Sequence, residues 1–282
     1  MSSHGASVAA LFGVCVFAFG CAAMPVEGDE EQVMSAQEAW VTTNGDSPTF
    51  FWKPSTQQAL RRLALFPLVS NGKLAPTPLL DTAEGRGLLH YVVGCALPSG
   101  TTVSTLMPGV TFQGSVGLAP AWKTMSLAPT SSQRWVTSCL LQTLNGLDAH
   151  VPIRMLGSHV GLKDASPADA LTYTIPDATM FGNIFNPAGV EVYACVDAGV
   201  KDACGAGWSV FADLRICDSS DDCGITLLGV CRDVVNNHCW LNSAGKPVCR
   251  TPGGTLYTEV ISTFLDETGF SEHYPTCGGP LG

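Results

Sequence analysis

The chain has 282 residues and a formal net charge of −10, from 24 acidic and 14 basic side chains. A polyanion would meet net repulsion here and no basic stripe offsets it, so nucleic acid is not an expected partner. The length allows one sizeable domain and a smaller one.

From Val8 to Met24 the chain carries no charged side chain. That stretch suits the apolar region of a signal peptide better than a membrane span, which needs about 20 apolar residues. It closes on Ala18-Phe19-Gly20-Cys21. Small residues before a cysteine resemble a bacterial lipobox, so residues 1–20 read as a signal peptide and Cys21 as a lipidation site. No Lys or Arg precedes the apolar run, unlike the usual signal peptide. Plain cleavage and an uncleaved anchor are the alternatives, and all three export the chain. Residues 21–49 are acidic, with little apolar periodicity, and read as a flexible tether.

A first domain is expected over 50–190. In "STQQALRRLALFP", Ser55 and Gln58 have capping-box spacing, Leu60, Leu63 and Ala64 form a helical stripe, and Pro67 ends it. A second helix carries Leu88, Tyr91, Val92 and Cys95 on one face and stops at Pro98-Ser99-Gly100. "TTVSTL" and "GVTFQGSVGL" read as strands around a turn at Met107-Pro108-Gly109. A third helix starts at another capping box, Thr130 and Gln133. Its stripe is Val136, Cys139, Leu140 and Leu144, and Asn145-Gly146 supplies a left-handed stop. The strand "HVPIRML" follows.

The second and third helices share a phrase, "YVVGCAL" and "WVTSCLL", and an "LAP" stands at the same distance before each. A third "LAP" at 127–129 lies out of register, so true repetition and chance both stay open. A cysteine on the buried stripe of each helix would let two packed helices be joined covalently. Helix axes pack about 8–10 Å apart, which allows facing Cα atoms to reach the roughly 4.4–6.8 Å of a disulfide. Cys95–Cys139 is therefore an expected bond.

From Thr172 the pattern turns strand-like in "GVEVYACV", "WSVFADLRIC" and "TLYTEVISTFL". Residues 191–282 read as a β-rich module held by Cys195, Cys204, Cys217, Cys223, Cys231, Cys239, Cys249 and Cys277. No C-x₂-C spacing for zinc occurs, so all ten cysteines after Cys21 are expected in disulfides, with no metal and no cofactor. The connectivity of the eight is not determined by the sequence. The fold class is α+β.

Chemistry-bearing motifs are scarce. H-E-x-x-H, G-x-S-x-G, the P-loop and G-x-G-x-x-G are all missing. His150 and His159 bracket a strand at an odd separation, which points them to opposite faces. Asp148, His150 and Ser158 supply the residue types of a triad and nothing more. In "CDSSDDCG", Asp218, Ser220 and Asp222 alternate as in a calcium loop. Cys223 occupies the place of the central Gly and Gly229 that of the closing Glu, so Asp218 and Asp222 are weak metal candidates. Trp208 and Trp240 could stack on sugars or fill a small core.

The segments "YVVGCALPSG", "GSVGLAPAW", "RWVTSCLLQTLNG…VPIRMLG", "MFGNIF…VYACV" and "YTEVISTFL" resemble a set of exported, cysteine-bearing proteins and lipoproteins of myxobacteria. The resemblance spans roughly 88–265 and carries over no functional residue. Similar chains hold an extra cysteine pair before the third helix. Here that stretch is "KTMSLAPTSSQ", which leaves Cys95 and Cys139 as partners. The expected function is non-catalytic. An envelope-anchored or secreted protein, most simply a bacterial outer-membrane lipoprotein, binds a protein or carbohydrate and meets the membrane through its lipid. An exported hydrolase-like enzyme and a purely structural envelope component are the alternatives.

Overall fold

The computed structural model describes residues 41–147, 149–162, 166–205, 211–217, 224–232 and 237–278. The fold is α+β, and its centre is a six-stranded sheet. The strands are β1 (Val41–Asn44), β6 (Val151–Leu156), β7 (Ile175–Asn183), β8 (Glu191–Val196), β9 (Thr226–Val230) and β13 (Val260–Leu265), in the order β1-β6-β13-β7-β8-β9. Neighbours are antiparallel except the β8–β9 pair.

Side chains alternate across a strand, and both faces of this sheet are used. Ile153, Met155, Met180, Ala194, Val196, Ile261 and Leu265 belong to the main core. That face carries α4 (Thr130–Gln142), and α3 (Ala83–Ala96) packs on α4. Phe181, Cys195, Leu228 and Val260 point the other way, into a second core with Cys231, Cys239, Cys249 and Tyr257. Much of that second core comes from a small sheet of β10 (Cys239–Leu241), β11 (Pro247–Arg250) and β12 (Leu256–Tyr257).

The helices form for local reasons that the sequence partly displays. The Thr82 hydroxyl accepts from Gly85 N at 3.0 Å and caps α3. Its stripe Leu88, Tyr91, Val92 and Cys95 is buried, as is the α4 stripe Val136, Cys139 and Leu140. The two helices are joined by Cys95–Cys139 with Cα atoms 5.9 Å apart. So the repeated phrase marks a covalently stapled helix pair. The two in-register "LAP" segments also lead into short 3₁₀ turns, Pro78–Asp81 and Pro120–Lys123. The α4 helix is tied to the sheet by polar side chains too. Ser138 Oγ donates to Glu259 O and Gln142 Nε2 to Ile261 O, each at 2.7 Å.

Ahead of these lie the short α1 (Pro48–Phe51) and α2 (Pro54–Ala64), then a four-stranded sheet of β2 (Val69–Ser70), β3 (Lys73–Leu74), β4 (Thr102–Ser104) and β5 (Thr111–Gln113). The remaining helices are α5 (Pro167–Thr172), α6 (Ala198–Cys204) and α7 (Glu267–His273). The C-terminal region holds Cys195–Cys231, Cys204–Cys277 and Cys239–Cys249, and Cys217 is disulfide-bonded as well. Cys21 and Cys223 lie outside the described residues.

Several expectations need correction. Residues 41–44 are not tether: they form β1 and pair with β6. A boundary between 190 and 191 does not divide the fold, because it falls between β7 and β8, which are adjacent in one sheet. Strand β13 enters from the far end of the chain and lies between β6 and β7. Residues 35–282 form one compact unit. Neither capping box forms. Pro54 takes the first helical position with Lys53 before it, and Pro129 stands where Thr130 was expected to cap. Asn145-Gly146 makes no left-handed stop, since neither has positive φ. Residues 211–216 of "WSVFADLRIC" are helical rather than a strand.

The staple closes a loop of 44 residues, worth about 4 kcal/mol in the chain-entropy account. Replacing Cys95 and Cys139 together by Ala is expected to lower unfolding stability by about 2–4 kcal/mol, measured in guanidinium. An unchanged midpoint would show that α3 and α4 do not depend on the bond.

Candidate functional site

Two places gather polar chemistry, and they differ in access. The first begins at a β-bulge. Ser262 pairs with Thr179 and Phe264 with Pro176, so Asp177 and Ala178 stand together opposite the single residue Thr263. A bulge re-aims a side chain, and here it sends Asp177 into the core. Thr263 Oγ1 donates to Asp177 Oδ2 at 2.9 Å, and Tyr274 OH donates to Oδ1. The Arg215 Nε also donates to Oδ2, at 3.2 Å. The rest of the guanidinium donates to Leu144 O and Gln142 O. Asp177, Arg215 and His273 are all 0% exposed and Tyr274 is 1% exposed.

The charges settle accordingly. Burial alone would raise the Asp177 pKa, but Arg215 and the two hydroxyl donors outweigh it and hold it below the usual carboxylate range. Burial and the Asp177 charge raise the Tyr274 phenol. Burial, then Arg215, pushes His273 down to about 3. His273 Nε2 is hydrogen-bonded to the Asn44 amide, and Asn145 Nδ2 donates to Asn44 Oδ1 at 3.2 Å. Asp46 is buried nearby in the chain, its Oδ2 without a partner, and burial raises it to about 8. Carboxylate, imidazole and phenol thus converge as buried side chains, and Asp177 and Thr263 of this cluster also stand in the floor of the groove beside the small sheet. The cluster ties β7, β13, α4, α7 and the 212–216 turn together.

The second place is open. The small sheet covers only part of the outer face. Beside it runs a groove of about 220 Å³. Thr179, Ser262 and Phe264 line it from the large sheet, and Trp240 and Leu241 from β10. Asp197 and Arg232 also line it and form an ion pair at 2.7 Å. Thr179 Oγ1 and Ser262 Oγ are hydrogen-bonded at 2.7 Å. Trp240 is half-buried with the Arg250 guanidinium 5.6 Å from its ring centre, and Leu241 is exposed. The Cys195–Cys231 and Cys239–Cys249 disulfides sit behind the groove with sulfurs 3.5 Å apart, fixing β10 against the large sheet.

Of the residues singled out from sequence, Trp240 and the disulfide cysteines Cys231 and Cys239 line this groove. His150 is exposed at the start of β6. His159 is half-buried against Trp135 at 5.2 Å, and its Nδ1 accepts from Gly161 N at 2.9 Å. Ser158 donates to Thr258 O. Asp148, Trp208, Asp218, Ser220 and Asp222 lie outside the described residues. Among the described residues no three His, Cys, Asp or Glu side chains converge as a metal site. The groove residues Ser262 and Phe264 were legible only as the outward half of the alternation in "VISTFL".

The two displaced pKa values set a pH profile. The folded state keeps the Asp46 proton between about 4 and 8, after the unfolded chain has lost it, so stability falls as pH rises through that window. His273 is neutral in the fold between about 3 and 6.5 while the unfolded chain is protonated, so stability falls as pH drops through that range. The opposing slopes cancel between about 4 and 6.5. Thermal unfolding is expected to show a plateau there and a decline towards pH 8, of at most about 1.4 kcal/mol per pH unit. Asp46→Asn should abolish the decline; an identical decline in the variant contradicts the assignment.

No family model, no curated protein and no solved structure matches this chain.

Proposed function

We propose that this is a non-catalytic binding protein of the cell exterior, and that its ligand seats in the groove beside Trp240. The observation that carries the reading is the contrast in access. Carboxylate, imidazole and phenol are sealed in the core, while the open groove offers an aromatic ring, an aliphatic side chain, two hydroxyls and an ion pair. Hydrolytic chemistry needs its acid and base within hydrogen-bond reach of a substrate, and the side chains of Asp177, His273 and Tyr274 are at most 1% exposed and turned to one another. Binding needs an apolar surface with a few fixed polar groups, which the groove provides.

The groove is smaller than the roughly 300–1,000 Å³ of pockets for whole small molecules. It fits one unit of a longer chain. A carbohydrate is favoured: one sugar ring can lie on Trp240 while Asp197, Arg232 and the Thr179–Ser262 pair meet its hydroxyls. Export is supported by the disulfides, which persist in oxidising compartments. No helix among the described residues is long and apolar enough to cross a membrane. Acylation of Cys21 would anchor the chain, in an outer-membrane lipoprotein, ahead of the acidic residues before β1. In the myxobacterial set the same design would apply.

The test uses residues 35–282 with disulfides intact, titrated against soluble oligosaccharides released from envelope and matrix glycans. Saturable binding that weakens about tenfold or more in Trp240→Ala is expected, with the melting temperature unchanged. Equal binding by Trp240→Ala, or none by the parent together with turnover in a hydrolase screen, contradicts the reading.

A further inference from the structure

We infer that the end of the four-stranded sheet is a second contact site, one that docks on an anionic lipid surface independently of any acyl chain and of the Trp240 groove. The register brings the relevant segments together. Ser70 pairs with Lys73, Lys73 with Ser104, and Ser104 with Thr111. β2 and β3 are antiparallel while β3 and β4 are parallel. The chain entering β2 from Phe66 and the turn leaving β4 through Leu106 therefore lie at one end of this sheet. The loop after the Pro120–Lys123 turn is bound to the same end. Trp122 Nε1 donates to Phe66 O at 3.1 Å, and Leu68 N and Leu127 N donate to Trp122 O and Ala64 O, both at 2.8 Å.

What these segments present is unusual for a solvent-facing surface. Leu65 is 69% exposed, Phe66 60%, Leu106 78% and Met125 59%, and Met107 joins them. Single exposed apolar residues need no explanation, but grouped ones mark interaction sites. The flanking charges indicate the partner. Arg61 and Arg62 precede the first pair, Lys123 precedes Met125, and Lys73 lies on β3. Residues 59–127 hold five basic and two acidic side chains, in a chain whose net charge is −10. Exposed apolar side chains with Lys and Arg beside them in the same segments match the headgroup–acyl boundary of a membrane with anionic lipids. A second copy meeting this face with its own would set basic rim against basic rim, which repels.

Vesicle flotation of residues 35–282, after confirming cooperative melting, tests this directly. Vesicles of phosphatidylcholine alone are compared with vesicles containing phosphatidylglycerol. The parent should float with the anionic vesicles and be released as salt is raised. Phe66→Ser with Leu106→Ser should reduce partitioning about tenfold or more at an unchanged melting temperature. Arg62→Gln with Lys123→Gln should reduce only the anionic-vesicle component, and Trp240→Ala should change nothing. No flotation of the parent, or equal flotation of the Phe66/Leu106 variant, overturns the inference. A parent that dimerises without floating, and becomes monomeric in that variant, would make the tip a self-association surface instead.

Discussion

Five distant parts of the chain, β7, β13, the end of α4, the 212–216 turn and the residue after α7, meet at one buried ion pair, Asp177 with Arg215. The guanidinium bonds the carboxylate and two carbonyls at the end of α4, and the carboxylate takes hydroxyls from β13 and from the residue after α7. A buried ion pair is not by itself a source of stability, because desolvation can exceed the Coulombic gain. What it does supply is a requirement. Asp177 is tolerable in the core only if Arg215, Thr263 and Tyr274 all arrive, so strand insertion, helix docking and the C-terminal turn must be completed together. That requirement explains why the chain closes into one unit instead of the two segments its cysteine distribution suggests.

The sheet then separates two tasks. Its inner face holds the helices, the staple and the sealed polar cluster, and builds the main core. Its outer face is only partly covered by the small disulfide-bonded sheet, whose core is eight buried residues, four of them cysteines. A patch so small gains little from burial, so covalent bonds do the holding. Incomplete cover leaves the groove. The same strand, β13, contributes Thr263 to the sealed cluster and Ser262 and Phe264 to the open face.

The three longest helices, α2, α3 and α4, were legible in the sequence because each writes its apolar stripe within a dozen residues. The cysteine pair was legible because the phrase around it is repeated. Strands β4, β5, β6, β8 and β13 were legible from β-branched alternation, but strand order was not. Nothing local in "VISTFL" says that it will lie between β6 and β7, which end far upstream at Leu156 and Asn183. The bulge at Asp177 was hidden for the same reason: it exists only relative to its partner strand. In "FADLRI" the pattern suggested a strand, whereas residues 212–216 are helical and Arg215 meets a distant carboxylate in the core. The capping boxes failed because Pro54 and Pro129 settle where those helices begin. Of the groove, only Trp240 and the cysteines Cys231 and Cys239 carried a signal, the first as an aromatic in a small disulfide-rich stretch.

The most direct measurement of the central claim is a double-mutant cycle on Asp177 and Arg215, followed by equilibrium unfolding. Arg215→Met alone leaves a buried, unpaired carboxylate and should cost about 3–5 kcal/mol. Combining it with Asp177→Asn should recover part of that loss, giving a coupling of about 1 kcal/mol or more. Two small, additive effects would contradict the account: the pair would then be incidental, and the strand order would have to be held by packing alone.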